Sequence, residues 1–279
     1  MDQYAVFGNP VKHSRSPWIH AQFAAQTGAE LEYGAREVEL AQFEQQVLAF
    51  FANGGAGLNI TVPFKERAHD LAQVLSDVAR VAGAVNTLYQ DARGQLVGDN
   101  TDGIGMLRDI LQNGGVLRQR RLLVVGAGGA VRGVLPNLLA EQPAELLILN
   151  RTADRASALA DRFRDLGSVR GGGYDLLTNA SAAPAFDWII NGTSVGLSGG
   201  LPPLPANVVS PATWGYDMVY GPGQTAFQQW CINNGAERAL DGLGMLVEQA
   251  AEAFYLWRGV RPETAPVIAA LRHALAAVD

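Results

Sequence analysis

In the first hundred residues, short runs of β-branched and aromatic residues alternate with stretches in which apolar residues recur at helical spacing. The runs predict strands, and the spaced stretches, which end near glycine, predict helices. The predicted strands are Gln3–Phe7, Gly57–Val62, Ala84–Tyr89 and Gln95–Val97, and the predicted helices are Ser16–Thr27, Gln42–Phe51 and Gly103–Gln112.

Beyond Arg120 the first two predicted strands are continuously apolar, as expected for parallel strands that helices cover on both faces, and two later strands follow in the same sheet. The predicted strands are Arg121–Val125, Glu145–Leu149, Asp187–Ile190 and Trp214–Met218, and the predicted helices are Val131–Ala140, Thr152–Asp165, Gly242–Trp257 and Pro262–Ala277. The pattern predicts an α/β protein throughout.

Composition narrows the class of protein. The chain has 279 residues, which at roughly 150 residues per domain favours two domains. Hydrophobic residues make up 48% and charged residues 17%, which excludes a disordered chain. We find no apolar run of membrane-spanning length and no secretory signal, and the net charge of −6 argues against nucleic acid or an anionic membrane as partner. A single cysteine, Cys231, suits the cytoplasm, and the four histidines lack metal-ligand spacing, so we expect no metal.

A glycine-rich segment, Gly126-Ala127-Gly128-Gly129-Ala130, joins the first of the apolar strands to a predicted helix. Gly126 allows a tight turn, Gly128 lets the backbone approach a pyrophosphate, and the amides at the helix start face the anion. Val131 stands where the general G-x-G-x-x-G pattern has its third glycine, so the match is incomplete. The context predicts a dinucleotide site; a strand-to-helix turn without a ligand is the alternative.

The residues after the second apolar strand indicate which dinucleotide binds. An NAD site has an acidic residue there to accept from the ribose 2′-hydroxyl, whereas this chain has Asn150-Arg151-Thr152-Ala153-Asp154-Arg155. Arg151 and Arg155 are four residues apart, so both can face one phosphate, a group that guanidinium binds well. The segment favours NADP, and a solvated basic helix face is the alternative.

Two serines lie near the start of the first predicted helix. Ser16 precedes Pro17, which is typical of a helix N-cap, and a cap accounts for Ser16 but not for Ser14. Two hydroxyls beside the free amides of a helix start would also hold a carboxylate. Both interpretations stay open on the local chemistry.

Further polar residues end or follow strands in the same half of the chain. Asn59 and Thr61 point to one face of their predicted strand, where a polyhydroxylated ligand would supply hydrogen-bond partners. Lys65 follows at the carboxyl end of that strand, where open α/β sheets bind ligands. Asn86 and Asp102 lie in two more polar segments. The alternatives are a surface lysine, ordinary turn residues and a helix N-cap.

Taken together, these segments resemble the shikimate dehydrogenase family over nearly the whole chain and in order. The matching motifs are Gly8-Asn9-Pro10, Ser14-x-Ser16-Pro17, Asn59-x-Thr61-Val62-Pro63-x-Lys65, Gly83-Ala84-Val85-Asn86-Thr87, Gly98-Asp99-Asn100-Thr101-Asp102-Gly103, Gly126-Ala127-Gly128-Gly129-Ala130, Asn150-Arg151-Thr152, Tyr216-Asp217-Met218-x-Tyr220 and Asp241-Gly242-Leu243-Gly244-Met245-Leu246-x-x-Gln249. The resemblance implies an NADP-dependent oxidoreductase acting on a CH–OH group, which reversibly reduces 3-dehydroshikimate to shikimate in aromatic amino-acid biosynthesis.

The resemblance also implies roles for individual residues. Lys65 would transfer the proton, paired with Asp102. The substrate would be bound by Ser14, Ser16, Asn59, Thr61, Asn86, Asp102, Tyr220 and Gln249. The cofactor would be bound by Asp77, Gly126, Ala127, Gly128, Gly129, Ala130, Asn150, Arg151, Thr152, Arg155, Met218 and Gly242. Two departures stand out: Gly192 replaces a frequent alanine, which we expect to be minor, and Asp77 replaces a glutamate of some members.

The implied architecture is an N-terminal α/β substrate domain with a mixed sheet and a Rossmann-like, doubly wound NADP domain. The substrate domain would comprise residues 1–102 with 242–279, since the C-terminal helices return to it, and the cofactor domain residues 103–241. The implied partners are small molecules only, and the implied protein is a cytoplasmic monomer or homodimer.

Two alternative functions remain. The first is a quinate/shikimate dehydrogenase that uses NAD, against which Arg151 and the two serines argue. The second is a non-catalytic NADP-binding sensor, which would be expected to have lost Lys65 or Asp102.

Overall fold

The computed structural model describes residues 1–178 and 185–277, which divide into two units. The first unit comprises Met1–Gly105 and Leu246–Ala269, and the second comprises Met106–Met245 with the residues from Ala270 onward. The predicted ranges, 1–102 with 242–279 and 103–241, differ from these mainly in the last helix, whose residues from Ala270 group with the second unit. The assignment of one ligand to each unit stays a prediction.

The first unit contains a mixed six-stranded sheet, as predicted. Its strands are β1 (Asp2–Gly8), β2 (Leu31–Glu37), β3 (Gly55–Ile60), β4 (Val74–Leu75), β5 (Thr87–Gln90) and β6 (Leu96–Asp99), in the spatial order β2-β1-β3-β5-β6-β4. Strand β1 pairs in parallel with β2 and β3, and β5 runs antiparallel to both β3 and β6. The start of β5 therefore lies between the carboxyl ends of β3 and β6.

The second unit contains a six-stranded parallel sheet. Its strands are β7 (Arg121–Val125), β8 (Glu145–Leu149), β9 (Val169–Gly172), β10 (Trp188–Asn191), β11 (Trp214–Asp217) and β12 (Arg238–Leu240), in the order β12-β11-β10-β7-β8-β9. All its strand pairs are parallel. The strand order reverses at β7 and β10, which confirms the predicted doubly wound sheet and places the expected ligand edge at their carboxyl ends.

The predicted helices are present, with ends shifted by a few residues. The described helices are α1 (Ser16–Thr27), α2 (Phe43–Ala52), α3 (Lys65–Leu71), α4 (Asp77–Ala82), α5 (Asp102–Gln112), α6 (Gly129–Ala140), α7 (Ala153–Phe163), α8 (Asp175–Thr178), α9 (Ala226–Asn233), α10 (Leu243–Arg258) and α11 (Ala265–Ala276). The sequence pattern did not predict four helices, which are short: α3, α4, α8 and α9.

The strands that the sequence pattern missed, β2, β4, β9 and β12, form the edges of the two sheets. None of the seven residues of β2 is buried, and two of the four residues of β9 are glycine. An edge strand is covered less completely than a central one, so its sequence carries a weaker hydrophobic signal.

Alternate residues of β1 and β3 give the first sheet two different faces. On one face, Phe7 and Ile60 are buried in a core cluster with Phe43 and Phe50 of α2. Asn59 belongs to the opposite face, as the predicted alternation requires. Asn59 can therefore lie near the end of β3 without entering the apolar core.

The opposite face carries a cluster of rings around His20 of α1. The imidazole is fully buried and stacks on Tyr33 of β2, with ring centroids 4.2 Å apart and planes 6° from parallel. Phe23, Phe254 and Trp257 surround it, with ring centroids between 5.4 and 6.2 Å away. The setting of His20 is therefore aromatic on several sides.

Burial controls the charge of this histidine. Neither His20 ring nitrogen makes a hydrogen bond of normal geometry with the described residues. Desolvation lowers the pKa of His20 to about 3, and an interaction with the Asn59 side chain opposes this only weakly. The ring is therefore neutral in the folded protein at neutral pH.

Replacing His20 with phenylalanine is expected to flatten the loss of stability in acid. The pKa of His20 is about 3 in the folded protein against 6.5 as the ordinary value, so as the pH falls the unfolded chain takes up the proton first. Through this group the free energy of unfolding falls by up to about 1.4 kcal/mol per pH unit between roughly pH 6 and pH 3. Denaturant unfolding at several pH values measures the slope.

The exposed His273 supplies the control for this experiment. His273→Phe should keep the wild-type slope, whereas His20→Phe should lose part of it. Equal slopes for the wild type and His20→Phe would contradict the buried, neutral state of His20.

Candidate functional site

Lys65 and Asp102 form an ion pair beside the first sheet. Lys65 opens α3, soon after β3, and Asp102 opens α5, soon after β6. The Lys65 Nζ lies 2.5 Å from Asp102 Oδ2, and only 18% and 8% of the two side chains are exposed. With so little water around it, the pair holds the ammonium group in one place. An ammonium held in this way is positioned for general acid–base chemistry.

The Asn86 amide, just before β5, is fixed on both of its sides. Its Nδ2 donates to Asp102 Oδ1 at 2.8 Å and to Thr101 Oγ1 at 3.0 Å. Its Oδ1 accepts from the Thr101 backbone N–H and from the Thr87 hydroxyl, each at 2.9 Å. Both oxygens of Asp102 therefore bind a donor, one from Lys65 and one from Asn86.

Gln249 of α10 joins the same polar group. Its Oε1 lies 3.4 Å from both Asn86 Nδ2 and Thr101 Oγ1. Gly105 of α5 allows this approach, since a Cβ there would lie 2.7 Å from the Gln249 backbone nitrogen. The structure thus brings Gln249 to the residues with which the family resemblance grouped it.

Asn59 is buried at the end of β3, and other protein groups hold its amide. Its Nδ2 donates to Thr87 Oγ1 at 3.1 Å and to the Asn86 backbone carbonyl at 3.3 Å. Its Oδ1 accepts from the Tyr33 hydroxyl at 2.7 Å. The sequence did not indicate Tyr33 as a site residue, because the strand that carries it was itself not predicted.

Thr61 follows β3 and is half-buried. Its methyl group packs so closely on β1 that a Cβ at Gly8 would lie 2.3 Å from it. The absence of a side chain at Gly8 therefore lets Thr61 lie against β1.

Of the two interpretations of Ser16, the structure does not support the helix N-cap. Helix α1 begins at Ser16 itself, and Arg15 occupies the cap position without a cap hydrogen bond from its side chain. The Ser16 hydroxyl instead interacts with Tyr33, and its backbone N–H donates to Ser14 Oγ at 3.3 Å. Pro17 stands at the second helical position, so it does not require Ser16 to be the cap. The two hydroxyls therefore lie together at the start of α1, where backbone amides can bind an anion such as a carboxylate.

In the second unit, the loop Gly126–Ala130 has the geometry that a dinucleotide phosphate requires. Gly126 has φ of 110°, which favours glycine, and a Cβ there would lie 3.0 Å from the Gly192 carbonyl oxygen. Gly128 precedes α6 without a side-chain cap, and a Cβ on Gly128 or Gly129 would meet open space. Backbone amides at the start of α6 are therefore accessible to an anion, so this loop fits a dinucleotide phosphate.

The basic segment after β8 also lies at this edge of the sheet. Arg151 and Arg155 are exposed on either side of Thr152, the N-cap residue of α7. The Asn150 Nδ2 donates to the Thr152 carbonyl at 3.0 Å, which shapes the turn between strand and helix. Two guanidinium groups at this place fit a phosphate on the ribose.

Met218 and Gly242 meet at the carboxyl end of β11. A Cβ on Gly242 would lie 2.4 Å from the Met218 carbonyl oxygen, so glycine is needed there. At Gly192 a Cβ would lie 2.3 Å from Val131 Cγ2 and 3.0 Å from Met218 Sδ. The glycine at 192 is therefore matched to the bulk of Val131, and it is not the minor departure that the sequence indicated.

A buried carboxylate, Asp217, ties the ends of β10 and β11 together. Its Oδ1 accepts from Asn191 Nδ2 at 3.0 Å and from the Val219 backbone N–H at 3.2 Å. Burial raises the pKa of Asp217, and hydrogen bonds to it act in the opposite direction. These bonds fix the backbone on both sides of Met218.

The remaining predicted residues are Asp77 and Tyr220. Asp77 opens α4 in the first unit, where it is exposed and pairs with Arg80 at 2.6 Å. Tyr220 is half-buried in the second unit, three residues beyond β11. Their contacts with cofactor and substrate stay predictions.

The described residues include neither a cluster of metal-binding side chains nor a membrane-spanning helix. No group of three or more His, Cys, Asp or Glu side chains among residues 1–178 and 185–277 is placed to hold a metal ion. None of the helices that the structure describes has the length and apolar character needed to cross a bilayer.

Known proteins resemble this chain over nearly its whole length. Family models match it for the shikimate dehydrogenase substrate binding domain over residues 6–88, shikimate / quinate 5-dehydrogenase over 108–194, and the shikimate 5'-dehydrogenase C-terminal domain over 242–272. A shikimate dehydrogenase (NADP(+)) from Alkalilimnicola ehrlichii is 57% identical over 272 residues, which cover 97% of this chain and 98% of the relative.

Solved structures agree with this result. The Ael1 enzyme from Pseudomonas putida is 47% identical, with a TM-score of 0.89 over 97% of this chain and 98% of that one. The shikimate 5-dehydrogenase from Thermus thermophilus, in complex with NADP(H) and shikimate, is 35% identical, with a TM-score of 0.86 over 99% of this chain and 100% of that one.

The contact between Gly192 and Val131 gives a stability prediction for the second unit. Gly192→Ala should lower the free energy of unfolding by about 1–3 kcal/mol, because the new methyl overlaps a β-branched side chain. Adding Val131→Ala should recover part of that loss, and urea unfolding of the two single variants and the double variant measures it. Losses that simply add in the double variant would contradict the proposed contact.

Proposed function

Because the chain belongs to the shikimate dehydrogenase family, we propose that it catalyses the NADP-dependent, reversible reduction of 3-dehydroshikimate to shikimate. It is an NADP-dependent oxidoreductase, and its ligands are small molecules. The observation that carries the mechanism is the 2.5 Å ion pair between Lys65 and Asp102, which lies among uncharged hydrogen-bonding side chains.

The polar side chains clustered around Asn86 and Asp102 in the first unit support binding of a hydroxylated cyclic acid. Ser14 and Ser16, at the start of α1, would take the carboxylate. The ring hydroxyls would meet amide and hydroxyl groups that can both donate and accept. These groups are Asn59, Thr61, Asn86 and Gln249, and the family resemblance adds Tyr220.

Lys65 and Asp102 would handle the proton. When bound, NADPH supplies the hydride that reduces the substrate carbonyl. Negative charge then develops on the carbonyl oxygen, and the Lys65 ammonium gives that oxygen a proton, while the electrons of the broken N–H bond stay on nitrogen. In the oxidative direction the neutral amine takes the hydroxyl proton, and Asp102 keeps Nζ in place in both directions.

The second unit would bind the cofactor through backbone amides and cationic side chains. The phosphates would lie on the uncapped start of α6, with the 2′-phosphate facing Arg151 and Arg155. Asn150 and Thr152 would shape that turn, and Met218 and Gly242 would contact the cofactor beside β11. The family resemblance adds Asp77 to the proposed set.

We also propose that the enzyme works in the cytoplasm as a monomer or homodimer. Its one cysteine, Cys231, is buried within the second unit, so the fold needs no disulfide. Cell fractionation and light scattering test the location and the assembly state.

Removing the Lys65 amine should abolish most turnover while leaving substrate binding nearly intact. Lys65→Ala is expected to lower kcat for shikimate oxidation about 10²–10⁴-fold, with KM changed only several-fold, because the amine acts in proton transfer. The assay follows NADPH formation at 340 nm, with quinate and NAD as alternative substrate and cofactor.

The sequence offers one matched control, because Lys12 is the only other lysine. Lys12 is exposed and pairs with Glu37 at 3.7 Å, so Lys12→Ala should retain the wild-type kcat. A large rise in KM with kcat unchanged in Lys65→Ala would make Lys65 a binding residue.

Choice of cofactor should depend on the arginines after β8. Arg151→Ala is expected to raise KM for NADP about 10- to 100-fold, through loss of a charged hydrogen bond, and to leave KM for NAD nearly unchanged. Arg164→Ala is the control, since Arg164 is exposed farther along the chain, beyond α7. An equal effect on both cofactors would refute the proposed contact with the 2′-phosphate.

A further inference from the structure

Tyr33 reaches the candidate active site from the edge strand β2. Its hydroxyl donates to Asn59 Oδ1 at 2.7 Å and interacts with the Ser16 hydroxyl. The Tyr33 ring stacks on the buried His20, with ring centroids 4.2 Å apart, and its centroid lies 6.4 Å from that of Trp257. The ring plane is thus held by packing, while its polar end lies among predicted substrate residues.

The hydrogen bonds beyond Asn59 all point in one direction. Asn59 Nδ2 donates to Thr87 Oγ1 at 3.1 Å, and the Thr87 hydroxyl donates in turn to Asn86 Oδ1 at 2.9 Å. Asn86 Nδ2 then donates to Asp102 Oδ1 at 2.8 Å. A continuous chain of donors therefore runs from Tyr33 to the carboxylate that holds Lys65. Bonds arranged in this way polarise and strengthen one another.

The direction of these hydrogen bonds matters at Asp102, where they end. An Asn86 amide turned the other way would present an oxygen to the carboxylate of Asp102, which needs donors. At the near end, burial raises the pKa of Tyr33 far above its ordinary value, so the phenol keeps the proton that it donates. The hydrogen-bond chain thus has a permanent donor, Tyr33, at one end and the Asp102 carboxylate at the other.

Resting on the proposed function, we propose that Tyr33 is a positioning residue for proton transfer. Its O–H fixes the amide of Asn59 and, through the chain, the donor that Asn86 presents to Asp102. Nothing in this role requires Tyr33 to contact the reacting atoms.

The test compares two deletions of a single hydroxyl from neighbouring tyrosines. Tyr33→Phe removes the first donor of the chain and keeps the stacked ring. Tyr4→Phe is the matched control, because Tyr4 is the register partner of Tyr33 on β1, packs on Trp257 at 4.8 Å and directs its hydroxyl to Arg258. Thermal unfolding shows whether both variants are folded.

With shikimate and NADP as substrates, Tyr33→Phe is expected to lower kcat about 5- to 50-fold, the loss of roughly one to two kcal/mol of hydrogen bonding. KM for NADP should stay within about twofold, and the pH profile of kcat should move by about half a pH unit, because the carboxylate is held differently. Tyr4→Phe should leave kcat and the pH profile as in the wild type.

Removing a hydrogen bond in the middle of the hydrogen-bond chain gives an independent readout. Thr87 is fully buried, and Thr87→Val removes its hydroxyl with little change in shape. If Tyr33 and Thr87 act through one chain, the double variant should lose no more kcat than the more affected single variant. Losses that multiply would show two separate packing effects and overturn the inference.

The activity of the wild type distinguishes the proposed function from the role of Tyr33. A folded wild type that does not oxidise shikimate with NADP would refute the proposed function. An active wild type in which Tyr33→Phe and Tyr4→Phe share the same kcat and pH profile would overturn the role of Tyr33 alone.

Discussion

The proposed chemistry depends on one ion pair, that of the Lys65 ammonium with the Asp102 carboxylate. The pair exists because of the strand directions in the first sheet. Strand β5 runs antiparallel to both neighbours, so its start lies between the carboxyl ends of β3 and β6. Lys65 follows β3, Asn86 precedes β5 and Asp102 follows β6, and the three segments therefore meet although they are distant in the chain.

The two units meet the needs of their proposed ligands with different chemistry. The first uses neutral side-chain amides and hydroxyls around a single ion pair, which suits a small molecule with several hydroxyls. The second uses backbone amides at the start of α6 and two exposed arginines, which suits phosphates. In both units the groups lie at the carboxyl ends of parallel strands, next to loops whose close approaches depend on glycine, such as Gly242 against Met218.

Much of the fold could be predicted from the sequence because its central strands are apolar and its longer helices are periodic. The edge strands were missed, and Tyr33 was missed with β2. Helix α9 carried a usable signal, the capping box of Thr225 and Gln228, which the apolar pattern alone does not reveal. The fit of Val131 to Gly192 and the hydrogen-bond chain through Thr87 depend on tertiary contacts, which no local pattern contains.

The resemblance to the shikimate dehydrogenase family placed Lys65, Asn86, Asp102 and Gln249 in one group, and the structure brings these side chains together. Local cap preferences also offered Ser16 as a helix N-cap, but Arg15 occupies that position and the hydroxyl of Ser16 has a distant partner in Tyr33. Local propensity is least reliable where a side chain serves a site rather than its own helix.

The role of the ion pair can be tested by a crystal structure with shikimate and NADP⁺ bound. We expect Lys65 Nζ and a carboxylate oxygen of Asp102 both to lie within about 3.2 Å of the same ring hydroxyl, the one that is oxidised. A reacting hydroxyl that is bound by neither group, with the ion pair turned away from the substrate, would contradict it.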